Sequence, residues 1–358
     1  NIQYSTSSNI PRFDRLDEYS NGSLKFAEWH YGPQERLLIS PQLTFNPDKN
    51  WLEKGTITFA YQNIKESRIQ RKFGSLDQSN REETVNVYSV NGDFSVPLAE
   101  KRNLGYGFEF AYNDVKSNSY GNTLAVSGNQ ITGISETFKV QSRYPDGGSS
   151  YSSAAVYVDY RQDISKTSTL NTGLRFTNTQ LNAMWIDQTF ITLPETDISS
   201  NNSALTATIG YVYKPNKSWQ LNSVLSSGFR SPNIDDIGKV FDSEPGSVVV
   251  PNTDLEAEYA YGGELGLTLN FNNFLLIDLA TYYTYLDNAL VRKDYHLNGE
   301  TEIIYNGELS NVQAIQNASS AKIYGFEAGI RLNFSEHFKL SSQYNITGGT
   351  EDDNGKDI

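Results

Sequence analysis

The chain has 358 residues, 37% of them hydrophobic and 13% aromatic, with a formal net charge of -13. That balance argues against nucleic-acid binding by bulk electrostatics, and the absence of cysteine removes disulfides and thiolate metal sites. No run of about 18 consecutive apolar residues is present to cross a membrane as a helix, but the mean hydropathy of -0.52 also suits strands that alternate lipid-facing and lumen-facing residues.

The chain opens on Asn1-Ile2-Gln3-Tyr4 without a basic start and an apolar run, so an export leader has been removed or the chain begins within a longer protein. Period-two alternation follows. Leu104, Tyr106, Phe108, Phe110 and Tyr112 oppose Gly105, Gly107, Glu109, Ala111 and Asn113. Further on, Leu265, Leu267, Leu269 and Phe271 oppose Glu264, Gly266, Thr268 and Asn270. Ile277, Leu279, Tyr283 and Tyr285 oppose Asp278, Ala280 and Thr284, and Tyr324 to Phe334 repeats the pattern. The second face carries both signs of charge (Glu109, Arg175, Glu264, Glu327, Arg331, Lys339) among glycines. Such a face suits a crowded, wet lumen.

Short polar links fall at Asn46–Lys49, Pro97–Arg102, Asp163–Thr167, Lys214–Lys217, Asn272–Asn273 and Ser335–His337. Between them lie long, polar excursions expected to be irregular: Ser117 to Ser149, Asp187 to Asn202, Arg230 to Glu256 and Asp287 to Ser320. Alternation of tight turns and long loops puts all the former at one rim of an up-and-down barrel and all the latter at the other, as in outer-membrane barrels. Aromatics bracket the tight links: Phe45 and Trp51, Tyr213 and Trp219, Phe271 and Phe274, Phe334 and Phe338. They are expected to form a girdle at the periplasmic interface. The reading is all-β: a transmembrane antiparallel up-and-down β-barrel occupying residues 1–358 as one domain, with about thirteen strands. Bacterial single-chain barrels have even strand numbers, and the end, Glu351 to Ile358, has loop composition. A fragment missing both ends is therefore expected.

The stretch from Ser227 to Leu267 carries a resemblance. Gly228, Phe229, Arg230, Pro232 and Asn233 close one strand, and Asn252, Asp254, Leu255 and Glu258 open the next. Together with Ser8–Leu16, Lys25–Trp29 and Ala321–Glu327, these motifs resemble the TonB-dependent outer-membrane receptors, closest to those of Bacteroidetes-type bacteria. Thr253 and Ala257 stand where that family usually has prolines. The resemblance implies a barrel of about twenty-two strands, of which this chain would be part, in the outer membrane. It also implies a plug domain of the same polypeptide, a TonB-binding segment N-terminal to these residues, and a small ligand such as a metal chelate. A ferric siderophore or haem is the first expectation, from family frequency alone.

Individual sites are sparse. Arg230 follows the lumen parity of its strand and is a candidate to pair with a lumen acid, to hold the plug domain that the resemblance implies, or to touch ligand. His30 and His296 fall in expected external loops, where a receptor might place an iron ligand; His337 falls in a periplasmic turn. Asp352–Asp357 faintly resembles an oxygen-rich calcium loop without the terminal glutamate, and Asp235-Asp236 is weaker still. No resident cofactor, metal centre or catalytic constellation is expected. Two other readings are a passive porin-like channel and a soluble secreted β-sheet carbohydrate-binding protein, the latter predicting shorter strands. Trypsin applied to intact cells is expected to cut between Arg230 and Glu256 and to spare Ser335–His337; the reverse pattern would invert the topology.

Overall fold

The computed structural model describes residues 1–358 apart from 21, 48, 245, 319, 354, 355 and 358. Ile2–Thr6 and Ile10–Pro11 form one broken pass, and Phe26–Tyr31, Glu35–Ile39 and Gln42–Phe45 a second. Long strands follow in meander order: Lys54–Lys72, Asp77–Ala99, Arg102–Ser127, Ser149–Asp163, Ser168–Met184, Asp197–Tyr213, Trp219–Arg230, Glu258–Phe271, Leu275–Asp287, Ser320–Asn333 and Lys339–Asp353. Each pairs antiparallel with its predecessor, which gives the expected thirteen passes. Among the described residues no pairing joins the first pass to the last, so the wall is open.

The two faces separate as the alternation requires. Phe59, Phe110, Val156, Leu174, Phe176, Leu205, Leu225, Leu265 and Ile330 are exposed on the outward face, and among the described residues no second sheet or helix layer covers them. Trp51, Phe271, Phe274, Phe334 and Phe338 are exposed at the tight-turn rim. Phe334 packs on Phe338 at 5.4 Å and edge-on to Phe274 at 6.0 Å, while Tyr213 meets Trp219 at 5.5 Å. A second belt runs through Tyr61, Tyr88 and Tyr112, one row by register, and through Tyr261, Tyr283 and Tyr324. About ten residues separate Phe271 from Tyr261. At ~3.3 Å per residue and a tilt of ~40° that is roughly 25 Å, the height of a barrel's apolar band. Amphipathic rings thus mark both water interfaces.

Glycine on the lumen face has a mechanical role. Asp93, Gly107, Tyr157 and Arg175 form one row across four strands. Tyr157 lies flat over Gly107 and donates to Asp93, while Arg175 reaches Glu109. A Cβ on Gly107 would overlap the Tyr157 ring and hydroxyl. Tyr282 crosses Gly325 in the same way to meet Thr347 Oγ1 at 2.8 Å.

The upper rim departs from the sequence expectation. Its excursions, expected to be irregular, are largely ordered. Arg102–Ser127 runs past Ser117 and turns back as Gln130–Lys139, and Asp197–Tyr213 begins inside another. Arg230–Glu256 and Asp287–Ser320 form a small sheet of Phe241–Glu244, Ser247–Val249, Glu308–Asn317, Leu290–Asp294 and Glu302–Tyr305. Ser247–Val249 pairs parallel with Glu308–Asn317, joining two separate loops. Their apolar side chains (Ile237, Val240, Val248, Val250, Leu255, Val312, Ala314) pack with Leu181, Ala183 and Ile198 of the wall. Leu181 and Ala183 share the parity of Arg175, so the loops fold inward over the lumen mouth. On Ser168–Met184 and Asp197–Tyr213 the lumen face is therefore polar within the membrane band and apolar at the mouth.

Placing a cation at mid-band tests the assignment of faces. Leu265→Lys should lower folding stability in lipid vesicles by about 2–4 kcal/mol, measured by urea titration. Lumen-facing Glu264→Gln should stay within about 0.5 kcal/mol. Equal losses would mean that the faces are not distinguished by lipid.

Candidate functional site

The mouth is built by the motif that closes Trp219–Arg230. Pro232 fixes its φ and is fully buried as the chain leaves the sheet. Asn233 then caps the short helix Ile234–Ile237 in a reciprocal capping box with Asp236. Arg230 donates to Asp236 Oδ1 at 2.6 Å, so it holds this turn rather than a distant lumen acid. The return half is equally structural. Asn252 accepts from the Asp254 amide, its own amide reaches Ile237 O at 3.2 Å, and its side chain donates to Ile315 O at 2.8 Å. Glu258 accepts from the Leu290 amide at 2.8 Å. Both halves of the motif thereby fix the cap to the wall.

Beneath that cap lies a cavity of about 280 Å³ whose lining includes Arg12, Arg15, Arg68, Arg81 and Arg143. Register explains part of the concentration. Tyr31, Arg68, Arg81 and Ser119 stand directly opposite one another across four strands, on the lumen face. Like charges so placed repel. Arg68 is offset by Glu66 and by Glu83 at 3.6 Å, whereas the Arg81 side chain donates to the Gln141 carbonyl at 3.0 Å. Arg12 bonds the Tyr31 hydroxyl at 2.7 Å and lies 4.9 Å from the Trp29 ring. The cap supplies Phe241, whose ring is approached by Lys239 at 4.3 Å, Arg143 at 5.4 Å and Arg292 at 5.8 Å. Burial pushes the Glu83 carboxyl up, against the pull of Arg68 and Arg143. Burial likewise raises Tyr305, which is a neutral hydroxyl at the cavity wall. Arg68 Nη1 and Arg143 Nε are buried without a hydrogen-bond partner in the protein. Guanidinium forks interleaved with aromatic faces can hold carboxylate, phosphate or other anionic oxygens bidentately and stack a planar group.

The sequence candidates fare differently. His30 lies on the strand Phe26–Tyr31 and not in a loop. It shares the face of Ile69, opposite to Trp29 and Tyr31, and meets Glu28 at 3.0 Å. His296 is exposed in the cap. Among the described residues no cluster of His, Asp and Glu could hold a metal. Residues 354 and 355, inside the Asp352–Asp357 run, lie outside the described residues. Asp235 binds Lys239 and Tyr144, each at 2.7 Å, and Asp236 serves the capping box. Arg68 and Arg81 went unnoticed in the sequence. The one available signal was their lumen parity on adjacent strands. Of the tryptic sites in Arg230–Glu256, Lys239 is packed in the cap whereas the Arg230 side chain is 46% exposed; outside it, the Lys139 side chain is 74% exposed.

Long strands bare of any apolar partner on one face, wet on the other and belted by aromatics at both ends satisfy themselves only as a barrel in the outer membrane. The chain belongs to the TonB dependent receptor-like β-barrel family, whose profile matches residues 2–358. Among solved structures it is similar to the haemophore receptor HasR of Serratia marcescens in complex with its haemophore and haem (15% identity, TM-score 0.67, covering 90% of this chain and 49% of that one). It is similar also to the ferric yersiniabactin uptake receptor FyuA of Yersinia pestis (14%, 0.57, 99% and 49%) and to the ferric citrate transporter FecA (14%, 0.65, 99% and 49%). These likenesses are of fold, and the chain spans about half the length of those structures. No curated protein matches it.

The cap's anchoring should respond to acid. Burial raises the Asp235 carboxyl, but Lys239, Tyr144 and Arg143 outweigh it and hold the group below its ordinary range. A depressed carboxyl contributes stability that is complete above its unfolded value of ~3.9 and lost as pH falls through the lower folded value. Amide-exchange protection of Asn233–Phe241, corrected for intrinsic rates, should hold from neutral pH to about 4 and fall below it. Asp235→Asn should weaken it throughout and flatten the pH response; an unchanged acid response would remove Asp235 as its source.

Proposed function

We propose that this protein is the barrel of a cell-surface receptor that binds an anionic small ligand, such as an iron chelate or haem, and imports it with energy supplied through TonB. The cationic, aromatic-lined cavity carries the reading. In a chain with net charge -13, five arginines line one cavity under the external cap, two of them, Arg12 and Arg15, paired with Asp14 and Glu18. Low-dielectric walls focus such a field and raise the local concentration of an anion. Arginine suits the negatively charged, often planar oxygen donors that wrap a metal, and Trp29, Tyr31 and Phe241 offer faces to conjugated groups. Family membership supports a plug domain of the same polypeptide and a TonB-binding segment as partners. Transport, not chemistry, is then the role of the barrel. The inward-folded cap argues against a passive channel, since it packs a hydrophobic core across the mouth. The bare outward face argues against a soluble carbohydrate-binding protein.

Titration of the intact protein in detergent with ferric citrate, a ferric tris-catecholate and haem should find at least one ligand whose affinity falls with rising salt. Arg68→Ala or Arg81→Ala should weaken it about tenfold or more, the worth of one charged hydrogen bond. Uptake of that ligand by cells should require TonB. Binding indifferent to salt and to both substitutions would sink the anionic reading.

A further inference from the structure

Period-two order continues above the membrane in the hairpin formed by the upper end of Arg102–Ser127 and Gln130–Lys139. Leu124 and Val126 keep the outward parity of Tyr112 and stand opposite Ile134 and Ile131. Leu124 is buried, and its amide donates to Leu76 O at 2.9 Å in the neighbouring turn. Around it Phe73, Leu76, Val126, Ile131 and Ile134 are between 43% and 60% exposed. Contiguous apolar surface of this kind marks a contact.

Lipid does not cover these side chains. From Tyr112 to Leu124 the strand climbs roughly 30 Å above the upper aromatic belt, at ~3.3 Å per residue and a tilt of ~40°. Headgroups reach only about 5–8 Å beyond the hydrocarbon. The outer edge of the hairpin is unsuited to a further strand. Thr132 and Ser135 bulge from Gln130–Lys139 and turn their hydroxyls back on Ala125 O and Thr123 O, at 3.2 and 3.0 Å. Bulges blunt an edge against added strands. The apolar face, not the edge, is what a partner would bury.

We propose that two copies of this protein meet side by side through this patch. The membrane favours a second copy over an unrelated chain. It holds every copy at one height with the outward face turned sideways, so a half-turn about the membrane normal brings two identical apolar patches together. The five side chains expose roughly 450 Å² between them, and a pair buries roughly 900 Å². That is small for a contact in solution, but confinement to a plane at fixed height raises the effective concentration of partners. The wall beneath adds to it, since Tyr88, Phe110 and Tyr112 are exposed on the same face. The lower margin of the patch carries both signs of charge, Glu82 with Lys116 and Lys139, so two copies meet there without a single-sign field. Pairing of copies and the ligand of the cationic cavity are independent.

Thiol cross-linking of the intact receptor in outer-membrane vesicles tests the contact. Ile131→Cys and Ile134→Cys are oxidised one at a time. At least one should give a reducible species of twice the mass, in which the same segment of two copies is linked. Ile304→Cys, at a site 73% exposed on the cap, should stay single and controls for random collision. Adding Ile134→Asp to Ile131→Cys, or Ile131→Asp to Ile134→Cys, should cut the yield about tenfold. The unheated variants should keep the electrophoretic mobility of a folded barrel, which guards against mere unfolding. The assignment is wrong if neither thiol links two copies, if the thiols link to a different protein instead, if Ile304→Cys links as readily, or if the added aspartates leave the yield unchanged.

Discussion

Hydrocarbon offers a peptide group no hydrogen bond, and that single constraint organises the wall. Each amide and carbonyl crossing the apolar band must find its partner on a neighbouring strand. The meander meets this with long ladders from Asp77 to Phe271, shortest between Asp197–Tyr213 and Trp219–Arg230, where pairing ends at Thr208–Ser226 and the Ser227 hydroxyl takes up the Ala207 amide. Once the backbone is committed, the side chains have only two directions, and one of them is lipid. The rows of Leu, Phe and Val on that side, with aromatic rings at both ends, follow from this.

The inner face is freer, and it is used in two ways. Within the band, Tyr157 and Tyr282 lie along the wall over Gly107 and Gly325 and tie neighbouring strands together through Asp93 and Thr347. Above the band the same parity turns apolar at Leu181, Ala183 and Ile198. There the inner face no longer holds water but receives the cap. The Gly-Phe-Arg-Ser-Pro-Asn turn and the Asn252 return are the two anchors of that cap. Its packing carries Phe241 and Tyr305 over the arginines of the wall.

Local pattern sufficed for the strands, the tight turns and the girdle at the tight-turn rim, because each rests on residues close in sequence and on a strict period of two. The lumen parity of Arg230 was legible for the same reason. Order in the cap was not. Ser247–Val249 meets Glu308–Asn317 in parallel, a pairing that no hairpin signal announces, and polar composition disguised both segments as irregular. The cationic cavity is assembled from strands, an N-terminal loop and two remote loops, so only the opposition of Arg68 and Arg81 was readable in principle. His30 shows the limit of composition. A histidine beside Trp29 and Tyr31 invites a ligand role, yet one step along a strand puts it on the other face.

One contact bears on how such a chain is made. Lys25 is held between Glu18 and Glu308, at 3.1 and 3.2 Å, and Lys72 reaches Asn306 O at 3.0 Å and Glu308 at 3.5 Å. The first lysine leaves the ribosome long before its second partner exists. Contacts so distant in sequence form late, so the arginine-lined chamber gains its roof only after residues 283 positions beyond Lys25 have reached the wall.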